Sequence, residues 1–83
     1  MGYVEKSELM EVLKIEGSFT DEELSFIGKT LTEDKLEEDT ILKLIDINVF
    51  EKKGLLNRFY KVCEKHYYFP NWIDNVRKGL DHV

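Results

Sequence analysis

The chain has 83 residues, 42% hydrophobic and 12% aromatic, with one cysteine and a net charge of −5. A lone cysteine excludes an intramolecular disulfide, and no apolar run reaches the roughly 18 residues of a membrane span. With no basic-then-apolar leader layout either, the expectation is a single cytoplasmic domain over residues 1–83, whose small core must be dense in large side chains.

Charge is unevenly placed. Residues 1–40 hold 12 acids and four lysines, a net of −8, while residues 41–83 hold five acids and eight bases, a net of +3. Such asymmetry steers partners by their charge, and it also keeps the outer faces of helices wet. Apolar residues recur at helical spacing throughout, and strand patterns are almost absent.

In chain order, a first helix is expected from Val4 or Ser7 to Ile15. Leu9, Val12 and Leu13 share one face, and Gly17 stands where a left-handed cap belongs. The stretch "FTDEEL" then carries a complete helix start. Thr20 is the N-cap, Glu23 closes a capping box, Phe19 and Leu24 form a hydrophobic staple, and three acids sit at the positive end of the dipole. This second helix runs to Leu31 with Leu24, Ile27 and Leu31 inward, and Gly28 at the flank invites close approach of another helix. "TEDKLEED" at 32–39 reads as a helical turn or an acidic loop. A third helix follows at Thr40–Ile47, with Ile41, Leu44 and Ile45 inward. Asn48 and Glu51 have the spacing of another capping box, and Gly54 interrupts that segment without necessarily ending it.

A fourth helix spans Leu55–Tyr67. On a helical wheel Leu55, Leu56, Phe59, Tyr60, Val62, Cys63, His66 and Tyr67 fall in one broad arc, the core face, while Arg58, Lys61 and Lys65 form a basic stripe opposite. Pro70 suits the first turn of a last helix carrying Trp72, Ile73, Val76 and Leu80 on one face. Trp72 is expected in the core and Tyr68 on the surface beside the basic stripe. The fold class is therefore all-α, a single small helical bundle of four to five short helices.

The chemistry-bearing residues do not assemble a reaction. Cys63 and His66 share a helical face, but a zinc site needs three or four ligands and the other histidine is His82. A nucleophilic cysteine needs an accessible position and an activating base. There is no glycine-rich phosphate loop and no calcium-loop pattern in "DTILKLIDINVFE". Comparison with acyl carrier proteins fails, because Ser7, Ser18 and Ser25 all lack the Asp-Ser-Leu setting of the attachment site. "SFTDEE" before a helix and "YYFP" before the last one resemble features of the immunity proteins of nuclease bacteriocins, themselves small, acidic and helical. That resemblance implies a binding role but assigns no site residue.

The expected function is that of a non-enzymatic protein-binding module, a small acidic regulator or inhibitor, immunity- or phage-inhibitor-like, with no cofactor and no membrane. Its partner is another protein with a basic surface, met by Glu22, Phe26, Glu37, Glu38 and Asp39. Phe26 earns its place as an apolar side chain on the polar side of its helix, between Glu22 and Lys29. The alternative is a nucleic-acid-binding domain using Arg58, Lys61, Lys65 and Tyr68, with Lys52 and Lys53 adding to the patch.

Overall fold

The computed structural model describes residues 3–16 and 18–67. The expected cap at Gly17, the last helix from Pro70, the placements of Tyr68, Phe69 and Trp72, and His82 all lie outside the described residues. Within them the chain is mostly helical with a small two-stranded sheet. The order is β1 (Tyr3–Glu5), α1 (Lys6–Glu16), α2 (Asp21–Thr30), β2 (Lys35–Glu37), α3 (Glu38–Leu44), α4 (Ile47–Lys52) and α5 (Leu56–His66). The chain divides between Ile45 and Asp46 into two compact units.

The first unit is tied by a ribbon where the sequence suggests a helix start and an acidic loop. β1 and β2 pair antiparallel, with Tyr3 opposite Glu37, Val4 opposite Leu36 and Glu5 opposite Lys35. Both strands read polar–apolar–polar, and alternate side chains of extended backbone face opposite ways. Val4 and Leu36 accordingly turn inward and are buried, while Tyr3, Glu5, Lys35 and Glu37 are exposed. The ladder continues one step further: the Lys6 N–H donates to the Asp34 carbonyl at 2.8 Å. That bond satisfies one of the orphan donors at the start of α1. Each strand runs straight into a helix, β1 into α1 and β2 into α3.

α1 buries Leu9 and Leu13, one turn apart, with Val12 half-buried beside them. α2 starts as expected. The Thr20 N–H donates to Glu23 Oε1 at 2.9 Å, and the Glu23 N–H donates to Thr20 Oγ1 at 3.1 Å. Its Ile27 and the capping Leu31 are fully buried, and Leu24 is half-buried. α2 packs on α1. A Cβ added at Gly28 would stand 3.6 Å from Met10 Cε of α1, an ordinary van der Waals distance. α3 begins two residues before the expected Thr40 and stops at Leu44, because Ile45 turns extended (ψ 126°) while burying its side chain with Ile41.

In the second unit α4 is capped by Asp46, not by Asn48. The Val49 N–H donates to Asp46 Oδ1 at 3.2 Å, which puts Asn48 inside the helix. Gly54 ends α4 outright. At φ +70° it lets its own N–H reach the Glu51 carbonyl (3.0 Å) and the Leu55 N–H reach the Phe50 carbonyl (2.8 Å). These two bonds make a Schellman motif, completed by the apolar pair Phe50 and Leu55, both fully buried. α5 follows at once and buries Leu56, Phe59, Val62 and Cys63. The Phe59 ring meets Phe50 edge-on, centroids 5.8 Å apart at 72°. His66, placed in the core arc by the wheel, is exposed. It sits at the last residue of α5, one turn beyond the buried Cys63.

Gly28, inside α2, and Gly54, just past the end of α4, should respond oppositely to alanine. Gly28→Ala should stabilise by about 1 kcal/mol, since the site has room and alanine is the better helix former. Gly54→Ala should destabilise by about 1 kcal/mol or more, because an L-residue is strained at positive φ. Urea denaturation of both variants checks the signs. Phe59→Ala, by the same measurement, should cost about 3–5 kcal/mol, as emptying a large aromatic site does.

Candidate interaction surface

The unit boundary nearly coincides with the charge boundary. Residues 1–45 carry 12 acids and five lysines, a net of −7, while residues 46–83 carry five acids and seven bases, a net of +2. Several of the acids have local work. Asp21, Glu22 and Glu23 open α2, and Glu38 and Asp39 open α3, where carboxylates face the positive end of each helix dipole. Glu23 is further held in the capping box. Their charge remains at the surface nonetheless: Glu5, Asp21, Glu22, Glu33, Asp34, Glu37 and Asp39 are all exposed.

The acidic-face residues separate into two groups. Glu22 and Phe26 belong to α2, where Glu22 is exposed and Phe26 half-buried, its carbonyl accepting the Thr30 hydroxyl at 2.9 Å. Glu37, Glu38 and Asp39 are consecutive at the β2–α3 junction, with Glu38 half-buried and its two neighbours exposed. The ribbon brings a further set to this junction. Tyr3 lies directly across from Glu37, Glu5 across from Lys35, and the Lys35 Nζ sits 5.1 Å above the centre of the Tyr3 ring. Glu5 also lines an open recess of about 410 Å³ with Lys6, Ser7, Met10 and Asp34. Sequence reasoning misses Tyr3, Glu5 and Lys35. Their only signal is the polar–apolar–polar pattern of two three-residue stretches, too short to stand out.

On the basic face, Lys61 and Lys65 are exposed along α5, and Lys52 and Lys53 are exposed at the end of α4. Arg58 is half-buried and structural in part: its Nε–H donates to the Gly54 carbonyl at 3.0 Å, bracing the turn between the helices. Tyr68 lies outside the described residues.

Cys63 is fully buried, and burial pushes its thiol well above the usual range by disfavouring the thiolate. Burial thus disfavours the thiolate form that a nucleophile needs, and His66 is exposed instead of buried with Cys63. Among the described residues no three His, Cys, Asp or Glu side chains gather as a metal site, and no helix is long and apolar enough to cross a membrane. Compared with protein-family models, curated proteins and solved structures, the chain matches none.

Native Cys63 should therefore resist alkylation at about pH 8 and react fully once the chain is unfolded; mass spectrometry after iodoacetamide treatment reads both. The raised thiol also sets a pH dependence. An unfolded thiol ionises near pH 8.5 while the folded one keeps its proton, so this contribution is intact below about pH 8.5 and is lost as pH rises further. Between about pH 8 and 10 wild type should lose more stability than Cys63→Ala, by up to about 1.4 kcal/mol per pH unit above the thiol's ordinary value.

Proposed function

We propose that this chain is a non-enzymatic binding protein, a small regulator or inhibitor, whose acidic N-terminal unit docks on a basic surface of a partner protein in the cytoplasm. The observation that carries the reading is the segregation of charge: −7 lies within one unit, with exposed carboxylates from β1, β2 and the first turns of α2 and α3. A surface of one sign raises the encounter rate with a partner of the other sign and disfavours partners of its own. Glu22, Glu37, Glu38 and Asp39 supply the charge, and the half-buried Phe26 supplies apolar contact.

A second reading is supported by the α4–α5 pair. Gly54 joins two helices by a tight turn, and the second helix carries Arg58, Lys61 and Lys65 with Lys52 and Lys53 just before it. A basic helix after a glycine turn suits a nucleic-acid backbone. The −7 of the other unit opposes a polyanion, which puts this reading second.

The test uses a partner recovered by affinity capture and then purified. Its association rate should fall about tenfold or more between about 50 and 500 mM salt. Combined reversal of Glu37, Glu38 and Asp39 to lysine should slow it comparably, whereas Lys61→Glu with Lys65→Glu should not. Salt-insensitive association would overturn the acidic-face reading. A gel shift with DNA or RNA at low salt, abolished by the two lysine reversals, would establish the second reading instead.

A further inference from the structure

The exposed side of the β1–β2 ribbon is a four-residue tile. Tyr3 and Glu5 line one strand, Glu37 and Lys35 the other, and all four are exposed. Side chains directly across an antiparallel pair stand about 5 Å apart at Cβ, so the tyrosine ring has a carboxylate across from it at Glu37 and another along its own strand at Glu5. One cation already uses this arrangement. Lys35, diagonal to Tyr3, brings its Nζ to 5.1 Å from the ring centre, within cation–π range. The tile carries two negative charges and one positive, so its own lysine leaves one carboxylate equivalent uncompensated.

We propose that this tile is a reading platform for an arginine side chain of the partner, which displaces Lys35 from the Tyr3 ring and is held between Glu5 and Glu37. The inference rests on the acidic-face reading and names the group that face recognises. Lys35 is a placeholder: it keeps the ring face occupied by a cation and is released to solvent at little cost because it is exposed. Arginine fits better than a second lysine for a physical reason. Its guanidinium is planar, stacks on an aromatic face and donates in a fork to a carboxylate at the same time, whereas an ammonium is a strongly hydrated point charge. The platform thereby adds selectivity to a surface that otherwise selects by charge alone. Asp34 and the polar recess next to Glu5 give the residues flanking that arginine a further acidic setting.

The experiment titrates the full chain with fluorescently labelled oligoarginine and oligolysine peptides of about six residues, at low salt, by anisotropy. Wild type should bind the arginine peptide more tightly. Tyr3→Leu should remove that preference, a change of about two- to fivefold, while Tyr3→Phe, which keeps the ring, should retain it. Lys35→Met should strengthen arginine binding more than Lys43→Met, which makes the same charge change on α3. Tyr3 and Lys35 are exposed, and matched thermal melts confirm that the variants are folded. An arginine preference that survives Tyr3→Leu, or equal effects of Lys35→Met and Lys43→Met, would overturn the platform. If the peptides bind in a salt-dependent way but ignore these variants, the platform falls and the acidic-face reading stands. If the reversals at Glu37–Asp39 leave the purified partner's association unchanged, that reading falls as well.

Discussion

The pairing of Val4 with Leu36 is the constraint on which the first unit depends. An isolated two-stranded ribbon is marginal in water, and here each strand is only three residues long. What holds it is burial of the two central side chains together with direct continuation into helices at both strands. Because the strands are antiparallel and run into α1 and α3 without a linker, the pairing also sets where those helices begin. Of the two starts that pattern alone allows for the first helix, Val4 and Ser7, the pairing selects the later, at Lys6, and the helix expected at Thr40 starts at Glu38. A slip of one residue would turn Val4 to solvent and a neighbouring glutamate or tyrosine inward. Register is thus fixed by the cost of burying a charge.

The same ribbon gives the acidic half of the chain its geometry. Carboxylates opening α2 and α3 are explained by the helix dipole without any partner. The ribbon acids stand at helix starts as well, Glu37 as the N-cap of α3 and Glu5 immediately before the first residue of α1. Glu5 and Glu37 flank a tyrosine whose face already holds a lysine cation. All these acids contribute field, and the strand register adds shape by setting two of them beside an aromatic ring. A surface that combines the two is better suited to recognising a basic protein than a uniformly charged helix face would be.

The second unit is organised by backbone chemistry at one residue. Gly54 adopts the left-handed conformation that closes the Schellman turn, and this brings Phe50, Leu55 and Phe59 into one buried cluster. Arg58 then spends its Nε–H on the Gly54 carbonyl, so one member of the basic stripe serves the fold before it serves any ligand. Cys63, on the buried side of the same helix, lies where burial disfavours its thiolate and packs as a small apolar side chain.

Much was legible in the sequence wherever partners lie within a turn or two of each other. The Thr20–Glu23 capping box, the inward faces of α1 and α2, the extent of α5 to within a residue at each end, and the concentration of acid in the first half all follow from local spacing. Where two local solutions competed, the sequence left the choice open. Asp46 and Asn48 are both able caps, and Gly54 is able either to interrupt a helix or to end one; in the fold Asp46 takes the cap, and Gly54 ends the helix with Phe50 and Leu55 buried across its turn. The ribbon was not legible, because a three-residue strand is too short to show a period, and its partner lies beyond two intervening helices. His66 has the wheel angle of a core residue but is exposed at the last residue of α5, because a wheel gives the angle of a side chain and not whether anything packs against that turn. By itself, then, the sequence determined the bodies of α1, α2 and α5 and where charge collects, since those depend on neighbours along the chain. Only the tertiary structure decided that Tyr3, Glu5, Lys35 and Glu37 share one face, since that depends on a pairing whose energy comes from burying Val4 and Leu36 together.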